Sequence, residues 1–96
     1  MKYFILFYET VEAFVEKRAP FRATHLQHAQ KAVEAGHLLL GGALEEPADK
    51  AVLLFRGRDK QVAIDFAKND PYVEQGLITK WEVRPWKVML GTKMEN

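Results

Sequence analysis

YFILFY, Tyr3–Tyr8, opens the chain with six aromatic or aliphatic residues in succession. Side chains alternate between the two faces of a strand, so a segment that is apolar at every position is covered on both faces. The stretch is too short for a secretory signal or a membrane span, and Glu9 follows it directly. We therefore predict the central strand of a sheet, in a protein without a membrane partner.

Helical and extended patterns alternate after this strand. Pro20 divides residues 11–35 into a short helical turn and a main helix, which Gly36 ends. A second helix is expected after Asp59, which can cap it, and Pro71 is expected to stop it. Three further strands are predicted at Leu38–Leu44, Ala51–Arg56 and Leu77–Trp86. The first two of these strands are predicted to form a hairpin.

The resulting order, βαββαβ, is the ferredoxin-like arrangement of the α+β class, with a four-stranded antiparallel sheet and both helices on one face. Ninety-six residues suffice for one such domain, 1–96. The last strand is polar on one face, as expected near a sheet edge. The other strands are apolar on both faces, so the helix-free face needs a cover. A second copy of the sheet is the simplest cover, which predicts a homodimer and leaves a higher oligomer open.

Composition excludes several classes of function. The chain is 48% hydrophobic with a formal net charge of +1, which is typical of a globular protein and argues against a nucleic-acid partner. It contains no cysteine, so disulfides, thiolate metal sites and cysteine nucleophiles are excluded, and a cytoplasmic location is expected. It has neither a phosphate-binding glycine loop nor a nucleophile elbow. No cofactor is therefore predicted.

The topology brings His25 and Asp70 to the same end of the domain, because the main helix begins where the second helix ends. The predicted core-facing side of the main helix includes His25 and is marked by Phe21, Leu26, Ala29 and Val33. An inward imidazole beside a carboxylate forms a dyad, in which the carboxylate fixes the tautomer and the ring serves as a general base. The alternative is a core histidine, with Asp70 only forming a turn.

Three further side chains near this end are candidates for substrate binding: Arg18, Arg22 and Tyr72. The arginines can attract an anionic ligand, and the alternative for them is a solvated helix face. Packing is the alternative for the tyrosine.

A metal site is not predicted, although His25 and His28 are spaced so that one helix face could present both to a metal. His37 lies at the opposite end of the domain, and cysteine ligands are absent. We expect His28 and His37 to be dispensable for function.

Three segments carry a resemblance to a known family: RATHL (22–26), AGHLLLGGAL (35–44) and FAKNDPYVEQGL (66–77). In this order and spacing they resemble YciI-like (YCII-related) proteins of the dimeric α/β-barrel superfamily. The resemblance implies a ferredoxin-like domain that dimerises through its sheets, with an active-site pair at His25 and Asp70. It does not imply a particular reaction. Relatives in the superfamily, a muconolactone isomerase among them, act on small oxygenated ring compounds by proton transfer or elimination, so an enzyme of this kind is expected to be a cofactor-independent lyase or isomerase. The chain departs from the family pattern at Lys50 and Ala51, which changes the expected rim of the pocket.

Two functions of different class fit these residues. In the first, the chain is an enzyme in which His25, oriented by Asp70, performs general acid/base chemistry on a small anionic or phenolic compound. In the second, it binds or senses a small molecule without turning it over, and the same pair anchors the ligand. A third and weaker hypothesis is that the chain is a cofactor-free oxygenase. The sequence alone does not separate the first two.

Overall fold

A computed structural model describes residues 1–91 of the chain. In this range, a 3₁₀ turn at Ala19–Phe21 precedes the long helix. The strands and helices are β1 (Lys2–Thr10), α1 (Phe14–Lys17), α2 (Arg22–Glu34), β2 (Leu38–Ala43), β3 (Lys50–Gly57), α3 (Gln61–Lys68), α4 (Pro71–Glu74) and β4 (Ile78–Trp86).

The strands form one antiparallel sheet in the order β2-β3-β1-β4. β1 lies in the interior of the sheet, paired with β3 on one side and β4 on the other, as its two-sided apolar pattern predicts. β2 and β3 form the predicted hairpin, and β4 lies at an edge. The predicted ferredoxin-like α+β fold is thus confirmed. No helix within residues 1–91 is both long and apolar enough to cross a membrane.

The core lies between the helices and one face of the sheet. Phe4, Leu6 and Tyr8 alternate along β1, are at most 4% exposed, and belong to the same buried cluster as Phe66 of α3. Burying one large apolar side chain of this kind contributes about 1.5–3 kcal/mol. The intervening residues of β1 point to the helix-free face, where Phe7 is 37% exposed.

The predicted core-facing side of the main helix is correct in part, because Phe21 and Ala29 pack on the core but the two large aliphatic residues of α2 do not. Leu26 and Val33 are 49% and 45% exposed, so the prediction that they face the core is wrong. Ala32 packs on the core instead, together with His28, whose Nε2–H donates to the carbonyl oxygen of Phe66 at 2.9 Å. The two large aliphatic side chains line a cleft beside β2, because α2 lies over that edge of the sheet.

The ends of the helices follow local chemistry. Gly36 ends α2 with a φ of 80°, a left-handed conformation that favours glycine. The Asp59 carboxylate accepts the N–H of Gln61 at 2.9 Å and thereby satisfies the first donor of α3. Pro71 follows the end of α3 as predicted, but it also begins α4, since proline suits the first helical position. The α3–α4 junction therefore contains Asp70.

Candidate active site

Asp70 lies at the junction of α3 and α4 and is completely buried. The backbone there is extended (φ −76°, ψ 124°), and Oδ1 accepts the backbone N–H of Tyr72 at 3.0 Å. Asp70 is thus the N-cap of α4, which is the turn-forming role considered from the sequence. A carboxylate has room for about four hydrogen bonds, and a fully buried one needs donors to replace water. The cap alone does not meet that need.

His25 approaches the same carboxylate from α2. Its Nδ1 lies 2.8 Å from Oδ1 of Asp70, so the Nδ1–H donates to the carboxylate. The two residues meet across 45 positions of sequence because the beginning of α2 and the end of α3 share one end of the domain. The His25 side chain is 15% exposed and that of Asp70 is not exposed. The acid is therefore shielded from solvent, while part of the imidazole is accessible.

Tyr8 is a third partner of the carboxylate, and sequence reasoning missed it. Its hydroxyl donates to Oδ2 of Asp70 at 2.7 Å. Burial raises the pKa of Tyr8 well above its ordinary value of 10.0, and the negative charge of Asp70 and the hydrogen bond act in the same direction. Tyr8 therefore stays neutral and serves as a donor. The available signal was its place on the core-facing side of β1, where a buried phenol requires a hydrogen-bond partner.

Tyr72 supports the imidazole from the side. The Tyr72 ring stacks on the His25 ring, with centroids 3.8 Å apart and planes inclined by 8°. The Phe14 ring packs edge-on against the Tyr72 ring, with centroids 5.4 Å apart. Burial raises the pKa of the Tyr72 hydroxyl, whereas the positive charges of Arg18 and Arg22 lower it. The stacked ring and the bond to Asp70 together restrict the orientation of His25.

A cleft of about 530 Å³ opens between α2 and the β2–β3 hairpin, and His25, Tyr72 and Tyr8 lie in its wall. Gly41 of β2 contributes to the cleft, where an added Cβ would lie 3.3 Å from Cγ of Leu53. This volume suits a small organic molecule. The site combines an accessible imidazole, a buried carboxylate and a largely apolar cavity.

The two positions that depart from the family pattern lie differently. Ala51 is buried and lines the cleft with a small side chain. Lys50 is exposed, and its Nζ lies 3.6 Å from a carboxylate oxygen of Asp49. Of the two, Ala51 is therefore the one that shapes the cavity.

Both arginines predicted as binding residues line this cleft. Arg18 lies between α1 and the 3₁₀ turn, and its guanidinium carbon is 5.3 Å from the centre of the Phe14 ring. Arg22 is the first residue of α2. Within residues 1–91, neither guanidinium forms an ion pair with a carboxylate. The positive charge at this end of the cleft is thus not neutralised by the described part of the chain.

The other two histidines lie away from the cleft. The His28 ring is bonded to the Phe66 carbonyl and stacks on the Phe66 ring at 4.4 Å, so its contacts are those of a packing residue. His37 follows α2 and is exposed. In the described part of the chain, no three histidine or acidic side chains come together in a way that could hold a metal ion.

Comparison with known proteins places the chain among relatives with the same fold. The family model of the YCII-related domain matches residues 1–87. An uncharacterised protein of Haemophilus influenzae is 28% identical over 94 residues, which cover 88% of this chain and 96% of that protein.

Two solved structures show the same architecture. One is 5-chloro-2-hydroxyhydroquinone dehydrochlorinase from Burkholderia phenoliruptrix in complex with 2,5-dihydroxybenzoquinone, with a TM-score of 0.73 at 18% identity over 88% of this chain and 93% of that one. The other is a protein from Agrobacterium tumefaciens, with a TM-score of 0.59 at 15% identity over 99% and 100% of the two chains. At these identities the likeness concerns the fold.

Proposed function

The chain belongs to the YCII-related family, and we propose that it is an enzyme in which His25 is the general acid/base and Asp70 orients it. The observation that supports this most is the 2.8 Å bond between His25 Nδ1 and the buried carboxylate, in the wall of a cleft of about 530 Å³. The reaction is an isomerisation or an elimination on a small oxygenated compound, with aromatic compounds included. No cofactor is required for either.

The proposed mechanism follows from the tautomer of the histidine. With Nδ1–H donated to Asp70, the lone pair of the imidazole is at Nε2, on the side of the ring away from the carboxylate. Nε2 takes a proton from an acidic C–H or O–H of the substrate. In an elimination, the released electron pair forms a new double bond, and the leaving group departs with the electrons of its own bond. In an isomerisation, Nε2–H returns the proton to a different carbon.

Asp70 stabilises the imidazolium that forms in the first step, because its charge is close and shielded from water. Tyr8 and the N–H of Tyr72 hold the carboxylate in place, so that it does not need to reorganise when the ring becomes charged. The catalytic group is thus the imidazole, and the carboxylate acts through it.

The Burkholderia structure guides the choice of substrates to test. That protein is named for dehydrochlorination of a chlorinated hydroxyhydroquinone, and its structure contains a dihydroxybenzoquinone. Loss of HCl from such a ring needs a base that removes a phenolic proton and an acid that protonates the ring carbon bearing chlorine. Chloride then leaves with the electrons of the C–Cl bond as a second hydroxyl proton is lost and the quinone forms. One imidazole can serve first as the base and then as the acid. The present cleft, with one oriented imidazole and a largely apolar wall, suits the same class of compound.

We also propose that the protein is a homodimer through the helix-free face of the sheet. Phe7 and Trp86 are 37% and 48% exposed on this face of the single chain. Covering large apolar groups of this kind is the main source of stability in permanent dimers. A cytoplasmic location stays a prediction that the cysteine-free composition allows.

The hypothesis that the protein is an enzyme is tested by assaying chlorinated and hydroxylated hydroquinones and small unsaturated lactones as substrates. Absorbance follows conversion of each compound, and chloride release is measured for the chlorinated ones. His25→Gln should lower turnover by about 10²–10⁴, the usual contribution of a general acid/base. His37→Gln is the matched control, since His37 is exposed and distant, and it should retain the parent rate. Unchanged turnover in His25→Gln would refute the mechanism. A compound that binds at His25 without being converted would favour the binding or sensing module instead.

A further inference from the structure

Two arginines and one buried hydroxyl meet at the end of the cleft that holds the dyad. Arg18 and Arg22 are separated by the 3₁₀ turn, and both line the cleft together with Tyr72. The ring of Phe14 lies under the Arg18 guanidinium at 5.3 Å, a contact that positions the charge without neutralising it. No carboxylate of residues 1–91 forms an ion pair with either arginine.

The Tyr72 hydroxyl is the second and independent observation. The residue is 4% exposed, and the Arg22 guanidinium lies close enough to donate a hydrogen bond to its hydroxyl oxygen, but no group in residues 1–91 accepts the hydroxyl proton. Both guanidinium groups are close enough to lower the pKa of this hydroxyl against the effect of burial. Buried hydroxyl groups almost always donate their proton to an acceptor, so a hydroxyl proton without an acceptor in the wall of a cleft requires an explanation. An oxygen atom of a ligand would supply the partner.

We propose that Arg18, Arg22 and Tyr72 bind the ionised oxygen of the substrate, which makes the substrate a small organic acid: a phenolate, an enolate or a carboxylate. This site rests on the proposed function for the reaction, and it specifies that the ionised form of the compound is the form that the cleft binds. Guanidinium groups suit this ligand because they present several donors to an oxyanion, and the phenol adds one more.

The site is also placed where it affects the reaction. The Tyr72 ring stacks on His25 with centroids 3.8 Å apart, so an anion held by the Tyr72 hydroxyl lies near the imidazole. Removal of a proton from the substrate places additional negative charge on its oxygen atoms. The two arginines then stabilise the product of proton removal more than the starting compound, which is the condition for them to accelerate the step.

Binding of a matched pair of probes tests the proposal without any need for turnover. The probes are 2,5-dihydroxybenzoate, which is an anion at neutral pH, and 2,5-dihydroxybenzamide, its neutral analogue. Calorimetric titration of the parent should show preference for the acid, and that preference should weaken as salt is added. Equal affinity for the two probes, or no binding of the acid at millimolar concentration, would overturn the proposal.

Substitutions then assign the preference to the named residues. Arg22→Met should lower affinity for the acid by about tenfold and leave affinity for the amide unchanged, since a charge-assisted hydrogen bond is lost. Tyr72→Phe, which keeps the ring over His25, should lower affinity for the acid several-fold. Arg58→Met is the control, because Arg58 is exposed and lies outside this cleft. This variant should bind both probes as the parent does.

Arg18 is tested by Arg18→Met, with thermal melting as a check because the side chain also packs over Phe14. If this variant unfolds, Arg22→Met and Tyr72→Phe still decide the outcome. Failure of the two proposals is distinguishable. Parent-like binding of the acid in Arg22→Met and Tyr72→Phe removes the anion site alone, whereas retained turnover in His25→Gln removes the mechanism alone.

Discussion

Replacing Tyr8 by Phe removes one hydroxyl from the centre of the site and keeps the ring within β1. In the parent, Asp70 is fully buried and accepts hydrogen bonds from Tyr8, His25 and the N–H of Tyr72. A hydrogen bond to a charged group contributes about 1.5–3 kcal/mol, and the ring of Phe can bury the same apolar surface. We therefore expect Tyr8→Phe to lower the free energy of unfolding by about 1.5–3 kcal/mol. For a domain of this size, that corresponds to roughly 6–24 °C in melting temperature.

Tyr3→Phe is the matched control for this prediction. Tyr3 and Tyr8 are on the same strand and are 5% and 2% exposed, but the Tyr3 hydroxyl has no hydrogen-bond partner within residues 1–91. Its removal should leave stability unchanged or raise it by up to about 1 kcal/mol, since an unsatisfied buried hydroxyl is unfavourable. Urea denaturation followed by tryptophan fluorescence, at one fixed protein concentration, measures both variants. Equal losses in the two variants would refute the claim that Tyr8 stabilises the fold through Asp70.

Three further predictions concern pH, the remaining histidines and assembly. Because the pKa of Tyr8 is raised in the folded state, its contribution to stability is complete below pH 10 and is lost as the pH rises above 10. In denaturant titrations above pH 10, the free energy of unfolding of the parent should therefore fall more steeply than that of Tyr8→Phe, by about 1.4 kcal/mol per pH unit. Equal slopes in the two proteins would contradict this. His28→Ala should lower stability by about 1–3 kcal/mol through loss of the bond to the Phe66 carbonyl while ligand binding is retained, whereas His37→Ala should change neither quantity in melting and titration experiments. Phe7→Asp should convert a dimer to a monomer in light scattering at micromolar concentration, and a parent that is already monomeric there would remove the proposed interface.

Much of the site was predictable from the order of the elements, because that order alone brings His25 and Asp70 to one end of the domain. Antiparallel connection of the elements places the start of α2 and the end of α3 on one side, and the observed contact of 2.8 Å between His25 and Asp70 lies there. The role of Tyr8 was not predictable in the same way. In an apolar strand, alternation assigns a tyrosine to the core, but it does not say which atom the hydroxyl reaches.

The sequence by itself determined the order of the elements, the central position of β1 and the hairpin, because these follow from alternation, proline and glycine within a few residues. The tertiary structure decided which side of α2 is covered. Leu26 and Val33 are the large apolar residues of that helix, yet Ala32 and His28 face the core and the larger pair borders the cleft. Local patterns report how apolar one side of a helix is. Where the helix lies over the sheet depends on the packing of all elements at once, and small side chains permit the close contact that large ones prevent.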